Sequence, residues 1–179
     1  EFRRVLFRSG SGAASVPAAL AAKSLGGSAV ILEKQAFFGG STAYSGGVVW
    51  IPNSPLHGNT DSEEAGRQYL NALLDERADK ASPPAKREMF LKQGPKAIQF
   101  LMDQGMKFIL VLWPDYYPDK PGGHATGRSL MAPLLNLNEL GPWKDKLGFF
   151  YGFPRMPVNS WEFVFLTLAK RTQIGRAHV

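Results

Sequence analysis

Apolar positions along the chain fall into short blocks separated by glycine- and proline-rich punctuation. Ala13–Leu25 is alanine-rich with Leu20 and Leu25 on spaced turns, which predicts a helix. Pro17 is compatible with it because it falls near the first turn, and Gly26-Gly27 supply a stop. Ser28–Leu32 (SAVIL) is a continuously apolar run, the pattern of a buried parallel strand. Residues 37–59 carry Gly39, Gly40, Gly46, Gly47 and Gly58 without periodicity and predict a structured loop. Asp61 and Glu64 have capping-box spacing. They open a helix expected to reach about Arg77, with Tyr69, Leu70, Leu73 and Leu74 on its apolar face. After a turn over Asp79–Pro84, two helices are expected, Ala85–Gln93 and Pro95–Gln104, split at Gly94-Pro95 and closed by Gly105. Lys107–Leu112 predicts a strand, Trp113–Arg128 a proline- and glycine-rich loop, and Ser160–Arg171 a last helix. A helix set between a glycine turn and an apolar strand predicts α/β architecture, a parallel sheet with flanking helices.

The length of 179 residues suits one domain. The absence of cysteine excludes a disulfide scaffold and a thiolate metal site. No apolar run approaches the ~18 residues of a bilayer span, and no signal peptide is legible, so a cytoplasmic location is expected. Membrane association through a part outside these residues stays open.

The net charge of +6 at first suggests a polyanionic partner. The ends change that picture. Glu1–Ser9 (EFRRVLFRS) and the closing Ile174–Val179 (IGRAHV) can be encoded by one nucleotide string and its reverse complement, and that string resembles a sequencing adapter. Residues 1–9 and 173–179 are therefore expected to be non-native, leaving 10–172 as the genuine segment. Without the ends the net charge falls to +3, and the argument for nucleic acid disappears.

The first chemical motif is Gly10-Ser11-Gly12-Ala13-Ala14-Ser15, with G-x-G-x-x-small spacing. The first glycine permits a tight turn, the second lets backbone approach a pyrophosphate, and the third position must be small for helix–strand packing. The helix N-terminus then offers free N–H groups and its positive dipole end. Glu33 follows the apolar strand, 23 positions after Gly10, where a carboxylate can accept ribose hydroxyls. The strand that should precede Gly10 is absent from the genuine segment, and Val5-Leu6-Phe7 have the apolar character to fill its slot.

The second motif, Phe38-Gly39-Gly40-Ser41-Thr42-Ala43-Tyr44-Ser45-Gly46-Gly47-Val48-Val49-Trp50, packs four glycines among four hydroxyl groups. Such a backbone can lie against a flat polar ligand and offer N–H and hydroxyl donors. Residues Gly10–Pro52 resemble the flavin-binding start of the fumarate reductase/succinate dehydrogenase flavoprotein superfamily. GGSTAYSGGVVWIPN is most similar to the 3-ketosteroid delta-1-dehydrogenases. That resemblance implies a Rossmann-like FAD-binding domain of which this chain is the N-terminal part. It also implies that Gly10, Ser11, Gly12, Ala13, Ala14, Glu33, Lys34, Gly40, Ser41, Thr42, Ser45, Gly46 and Gly47 line FAD. No histidine lies between Glu33 and Trp50, so the FAD is expected to be non-covalent.

Pro114-Asp115-Tyr116-Tyr117-Pro118, Pro121-Gly122-Gly123 and Gly127-Arg128-Ser129 match the same family in order and spacing. The resemblance implies that Tyr117 reaches the active site and hydrogen-bonds the tyrosine that acts as base, and that the substrate is a small-molecule 3-ketosteroid oxidised at C1–C2. An external electron acceptor is also implied. The base and the carbonyl-polarising donors are expected beyond Thr172, and the 179-residue chain itself is expected to be inert. Two alternatives stay open: a sibling flavoprotein acting on another enone or a dicarboxylate, and a non-catalytic nucleotide-binding module. Tyr116 reads as loop packing, Asp115 as a turn residue, His57 and His124 as surface histidines without metal-ligand spacing, and Lys86-Arg87 as a solvated helix face. Arg155-Met156 and Trp161 receive no chemical assignment.

Overall fold

The computed structural model describes residues 5–74, 78, 80–148 and 162. The helix expected over Ser160–Arg171, the end of the second helix at Arg77, Arg155-Met156 and Trp161 lie outside them. The chain divides into two compact units, Glu1–Gly47 with Leu134–Val179, and Val48–Pro133.

In the first unit, strand β1 (Val5–Ser9) leads through the glycine turn into helix α1 (Ser15–Ser24) and then strand β2 (Ser28–Leu32). The two strands pair in parallel, with Val5 opposite Ser28 and Ser9 opposite Leu32. Val5–Phe7 thus occupy the first-strand slot, where β-region backbone and length are the main demands. Ser15 is the buried residue of α1, in keeping with the small third position of the glycine motif. The expected burial of β2 is not realised: Val30, Ile31 and Leu32 are exposed. Among the described residues this sheet has two strands. A strand becomes fully buried only when helices cover both faces.

The loop after β2 contains a 3-10 turn over Gly40–Tyr44. Phe38 pairs with the distant segment around Leu147. The Phe38 N–H donates to Lys146 O at 2.8 Å, the Gly148 N–H donates to Phe38 O at 2.7 Å, and Trp143 meets the Phe38 ring edge-on at 6.4 Å. A 3-10 segment over Leu137–Lys146, kinked at Gly141, supplies this anchor.

The second unit is built on an antiparallel sheet of strand β3 (Val48–Trp50), strand β4 (Ile109–Val111) and strand β5 (Ser129–Met131), in the order β3-β5-β4. Central β5 buries Leu130 and Met131. Helix α2 (Glu63–Leu73) buries Tyr69, and helix α3 (Pro84–Asp103) buries Leu91 and Ile98. Arg67 of α2 reaches Glu88 of α3 with Nε–Oε1 at 2.6 Å and also pairs with Glu63 and Glu64.

Four expectations are corrected here. The cap of α2 is Ser62, whose hydroxyl accepts the Ala65 N–H; the Asp61 carboxylate is drawn away by Arg128 and the Asn53 N–H. The two helices expected around Gly94-Pro95 are one continuous α3. An interior proline costs about 3 kcal/mol, but Leu91 and Ile98 bury the same face on either side of it. His57 is buried, with its Nδ1 accepting the Ser54 N–H and lying 2.7 Å from Ser54 Oγ. Burial pushes its imidazole below the ordinary histidine range. Arg87 is buried rather than solvated, because it lies on the helix face that also carries Leu91 and Ile98.

Candidate functional site

The glycine motifs of the first unit meet through hydrogen bonds that begin at Ser11. Its hydroxyl donates to Glu33 Oε2 at 2.5 Å and accepts the Gly39 N–H at 2.7 Å. Its own N–H donates to the same carboxylate oxygen at 2.9 Å. The Gln35 N–H donates to Oε1, also at 2.9 Å. One side chain thereby joins the first glycine turn, the end of β2 and the start of the second glycine cluster. A second link runs from the Ala13 N–H to Thr42 Oγ1 at 2.9 Å.

These donors hold the Glu33 carboxyl down at about 2, with the Ser11 hydroxyl the largest cause and the backbone N–H groups of Gln35 and Ser11 next. A depressed carboxyl contributes fully above its ordinary range. The contribution of Glu33 to holding the loop is therefore constant near neutrality and is lost progressively as pH falls from the ordinary carboxylate range through about 2.

Backbone conformation follows from residue type. Gly10 turns at φ 83°, and its N–H donates to Leu32 O at 2.7 Å, closing the strand–turn–helix passage. Gly39 stands at φ 109°, and a Cβ there would lie 2.6 Å from Ala43 Cβ. Gly40 abuts the first turn, so a Cβ on it would sit 3.5 Å from Gly12 N. The start of α1 at Ala14 has no side-chain cap and no acidic residue in its first turn. The carboxylate near this end is that of Glu33, held on the Ser11 N–H and hydroxyl ahead of the helix.

The structure thus brings together Gly10, Ser11, Gly12, Ala13, Glu33, Gly40 and Thr42. Ala14 stands beside them at the helix start, and Ser41 lies exposed in the 3-10 turn. Ser45 is turned back on its own loop, donating to Thr42 O and accepting the Gly47 N–H. Gly46 and Gly47 leave the turn at the surface, and Lys34 is exposed beside Glu33. Gly39 is the residue that reading the motif did not single out, although its N–H bonds Ser11.

Tyr117 belongs to the second unit, as does a buried ionic cluster that sequence reading missed. Arg128 is fully buried; its Nε and Nη2 each reach Asp61 at 2.8 Å, its Nη1 reaches Asp115 at 2.7 Å, and its Nη2 reaches Gly122 O at 2.8 Å. Burial alone would push the Asp61 carboxyl up, but bonds from Arg128, Asn53 and Ser62 hold it below the ordinary range. Asp115 also accepts Trp50 Nε1–H at 2.8 Å and the His124 N–H at 3.0 Å. It is thus more than a turn residue. Tyr116 is 92% exposed and Tyr117 55%. Among the described residues no group of three or more metal-ligating side chains forms, and no helix is long and apolar enough to cross a membrane.

Comparison with known proteins bears on this arrangement. A family model described as "FAD binding domain" matches residues 9–177. A 3-oxosteroid 1-dehydrogenase of Mycolicibacterium smegmatis is 39% identical over 93% of this chain and 30% of its own length. A 4-oxocyclohexanecarboxylate 2-dehydrogenase of Sinomonas cyclohexanicum is 35% identical over 73% of this chain and 23% of its own. The solved 3-ketosteroid delta1-dehydrogenase of Sterolibacterium denitrificans, in complex with 1,4-androstadiene-3,17-dione, superposes with a TM-score of 0.68 at 29% identity. The match covers 82% of this chain and 26% of that one. The chain therefore spans about 30% of the Mycolicibacterium relative's length.

Proposed function

This chain belongs to the FAD binding domain family, and on that premise we propose that it is part of a flavin-dependent oxidoreductase introducing a C1–C2 double bond into a 3-ketosteroid. The observation that carries the reading is the Ser11-centred junction of both glycine clusters with Glu33. Its donor set fits FAD. The uncapped start of α1 with Gly10–Ala14 would hold the pyrophosphate. Glu33 and Lys34 would serve the adenosine ribose. Gly40, Ser41, Thr42, Ser45, Gly46 and Gly47 would line the flavin side. An ionised carboxylate is an acceptor for a ribose hydroxyl, and the Ser11, Gln35 and Lys34 donors hold Glu33 ionised. The Glu33–Trp50 segment contains no histidine that would tether the flavin, which supports non-covalent binding.

When bound, FAD would supply the acceptor for a hydride leaving C1. The protein must take the proton from C2, which a polarised C3 carbonyl acidifies. We assign the base, a tyrosine, to the rest of the protein, and to Tyr117 the task of donating a hydrogen bond to it. A second reading, a smaller cyclic ketone as substrate, is favoured by the similarity to the Sinomonas enzyme. The ratio of kcat/KM for a 3-ketosteroid and for 4-oxocyclohexanecarboxylate separates the two.

The cofactor assignment is tested on the full-length protein. Acid precipitation is expected to release the flavin; yellow colour retained in the pellet would contradict non-covalent binding. Glu33→Ala removes hydrogen bonds to a charged group and is expected to weaken FAD binding about tenfold to a hundredfold. An unchanged Kd would remove Glu33 from the cofactor site.

A further inference from the structure

The backbone of Tyr117 is fixed on its N-terminal side. Its N–H donates to Tyr69 Oη at 3.1 Å, a bond across 48 positions of sequence. Two residues earlier, Asp115 is clamped by Arg128, Trp50 and the His124 N–H. Pro118 follows and restricts Tyr117 to extended geometry. Tyr69 is itself immobilised on α2, with its ring 5.8 Å from that of Trp50 and the Arg128 guanidinium 5.7 Å from its centroid. Burial raises the Tyr69 phenol above its ordinary value, so the acceptor stays a neutral hydroxyl at physiological pH. The Tyr117 ring, by contrast, is more than half exposed and has little packing of its own to direct it.

We propose that Tyr69 is a positioning residue for Tyr117: its hydroxyl, held beside half-buried Trp50 and the buried Arg128–Asp115 pair, pins the Tyr117 amide and sets the direction in which the phenol projects. The proposal rests on the reading in which Tyr117 assists the base. It differs from a purely structural role because its effect must pass through the Tyr117 hydroxyl.

The test compares full-length wild type, Tyr69→Phe, Tyr117→Phe and the double variant by kcat, KM and hydrogen exchange at the residue 117 amide. Tyr69→Phe keeps the ring and removes one hydrogen-bond acceptor. It is expected to lower kcat about 3- to 10-fold and to speed exchange at the 117 amide by a similar factor, with KM unchanged. In the Tyr117→Phe background it should lower kcat no further. Unchanged amide exchange in Tyr69→Phe, or a full additional loss of kcat in the double variant, overturns the positioning role. If Tyr117→Phe alone keeps wild-type turnover, the assignment of Tyr117 fails. Faster amide exchange in Tyr69→Phe would then mark Tyr69 as a loop anchor and overturn its part in the reaction.

Discussion

Arg128→Ala is expected to destabilise the second unit by roughly 3–5 kcal/mol, the cost of stripping a partner from a buried ion pair. The guanidinium is the shared counter-ion of Asp61 and Asp115, both buried. Its removal leaves two carboxylates facing each other in a low-dielectric interior. Arg128→Lys should rescue only part of the loss, because a single ammonium cannot reproduce the fork that grips Asp61 through Nε and Nη2. The pH dependence has a definite sign. The folded-state pKa of Asp61 is depressed, so its stabilising effect is present above the unfolded carboxylate range and is lost as pH falls through the folded value. In Arg128→Ala the orphaned carboxylate is relieved by protonation instead. The gap between wild type and variant should therefore narrow on acidification, as read by denaturant unfolding at neutral and acidic pH. A gap independent of pH would mean that lost packing, rather than charge, explains the effect.

Tyr117→Phe should lower turnover of the full-length enzyme by roughly one to three orders of magnitude, less than the roughly two to four orders of a direct general acid or base, because Tyr117 assists the base. A free tyrosine has a pKa near 10, so a phenolate base is scarce at neutral pH. A second phenol donating to it favours the charged form. The substitution keeps the ring, so steroid and FAD binding should change little, since the loss lies in the transition state. Tyr116→Phe is the internal control, and with its side chain 92% exposed it should be near neutral. Wild-type turnover in Tyr117→Phe at every pH would reduce Tyr117 to a loop residue.

What the sequence disclosed was local. The helix after Gly10, the strand leading to Glu33 and the glycine turn at 39–47 are each encoded within a few residues, by composition and spacing. Their proximity followed from βαβ geometry. The bonds that unite them run through Ser11, whose hydroxyl meets Glu33, a contact that motif spacing does not encode. Other features were invisible because they depend on distant partners. Asp61 meets Arg128 across 67 positions, and without that partner it looked like a helix cap. Strands β3 and β5 are three residues each, too short for an alternating pattern to register. The pairing of Phe38 with Leu147 lies in a segment whose sequence shows no periodicity. The exposure of Val30, Ile31 and Leu32 depends on what covers the faces of β2, which SAVIL alone does not encode.

The central claim is that the protein uses FAD to oxidise ring A of a 3-ketosteroid. It is tested most directly by mixing the full-length holoprotein anaerobically with a 4-ene-3-ketosteroid while following the flavin absorbance and the steroid's mass. The account predicts stoichiometric bleaching of the flavin and a 1,4-diene product lighter by two hydrogens. A flavin that stays oxidised with the steroid but bleaches with 4-oxocyclohexanecarboxylate, or a protein that carries no flavin at all, would contradict it.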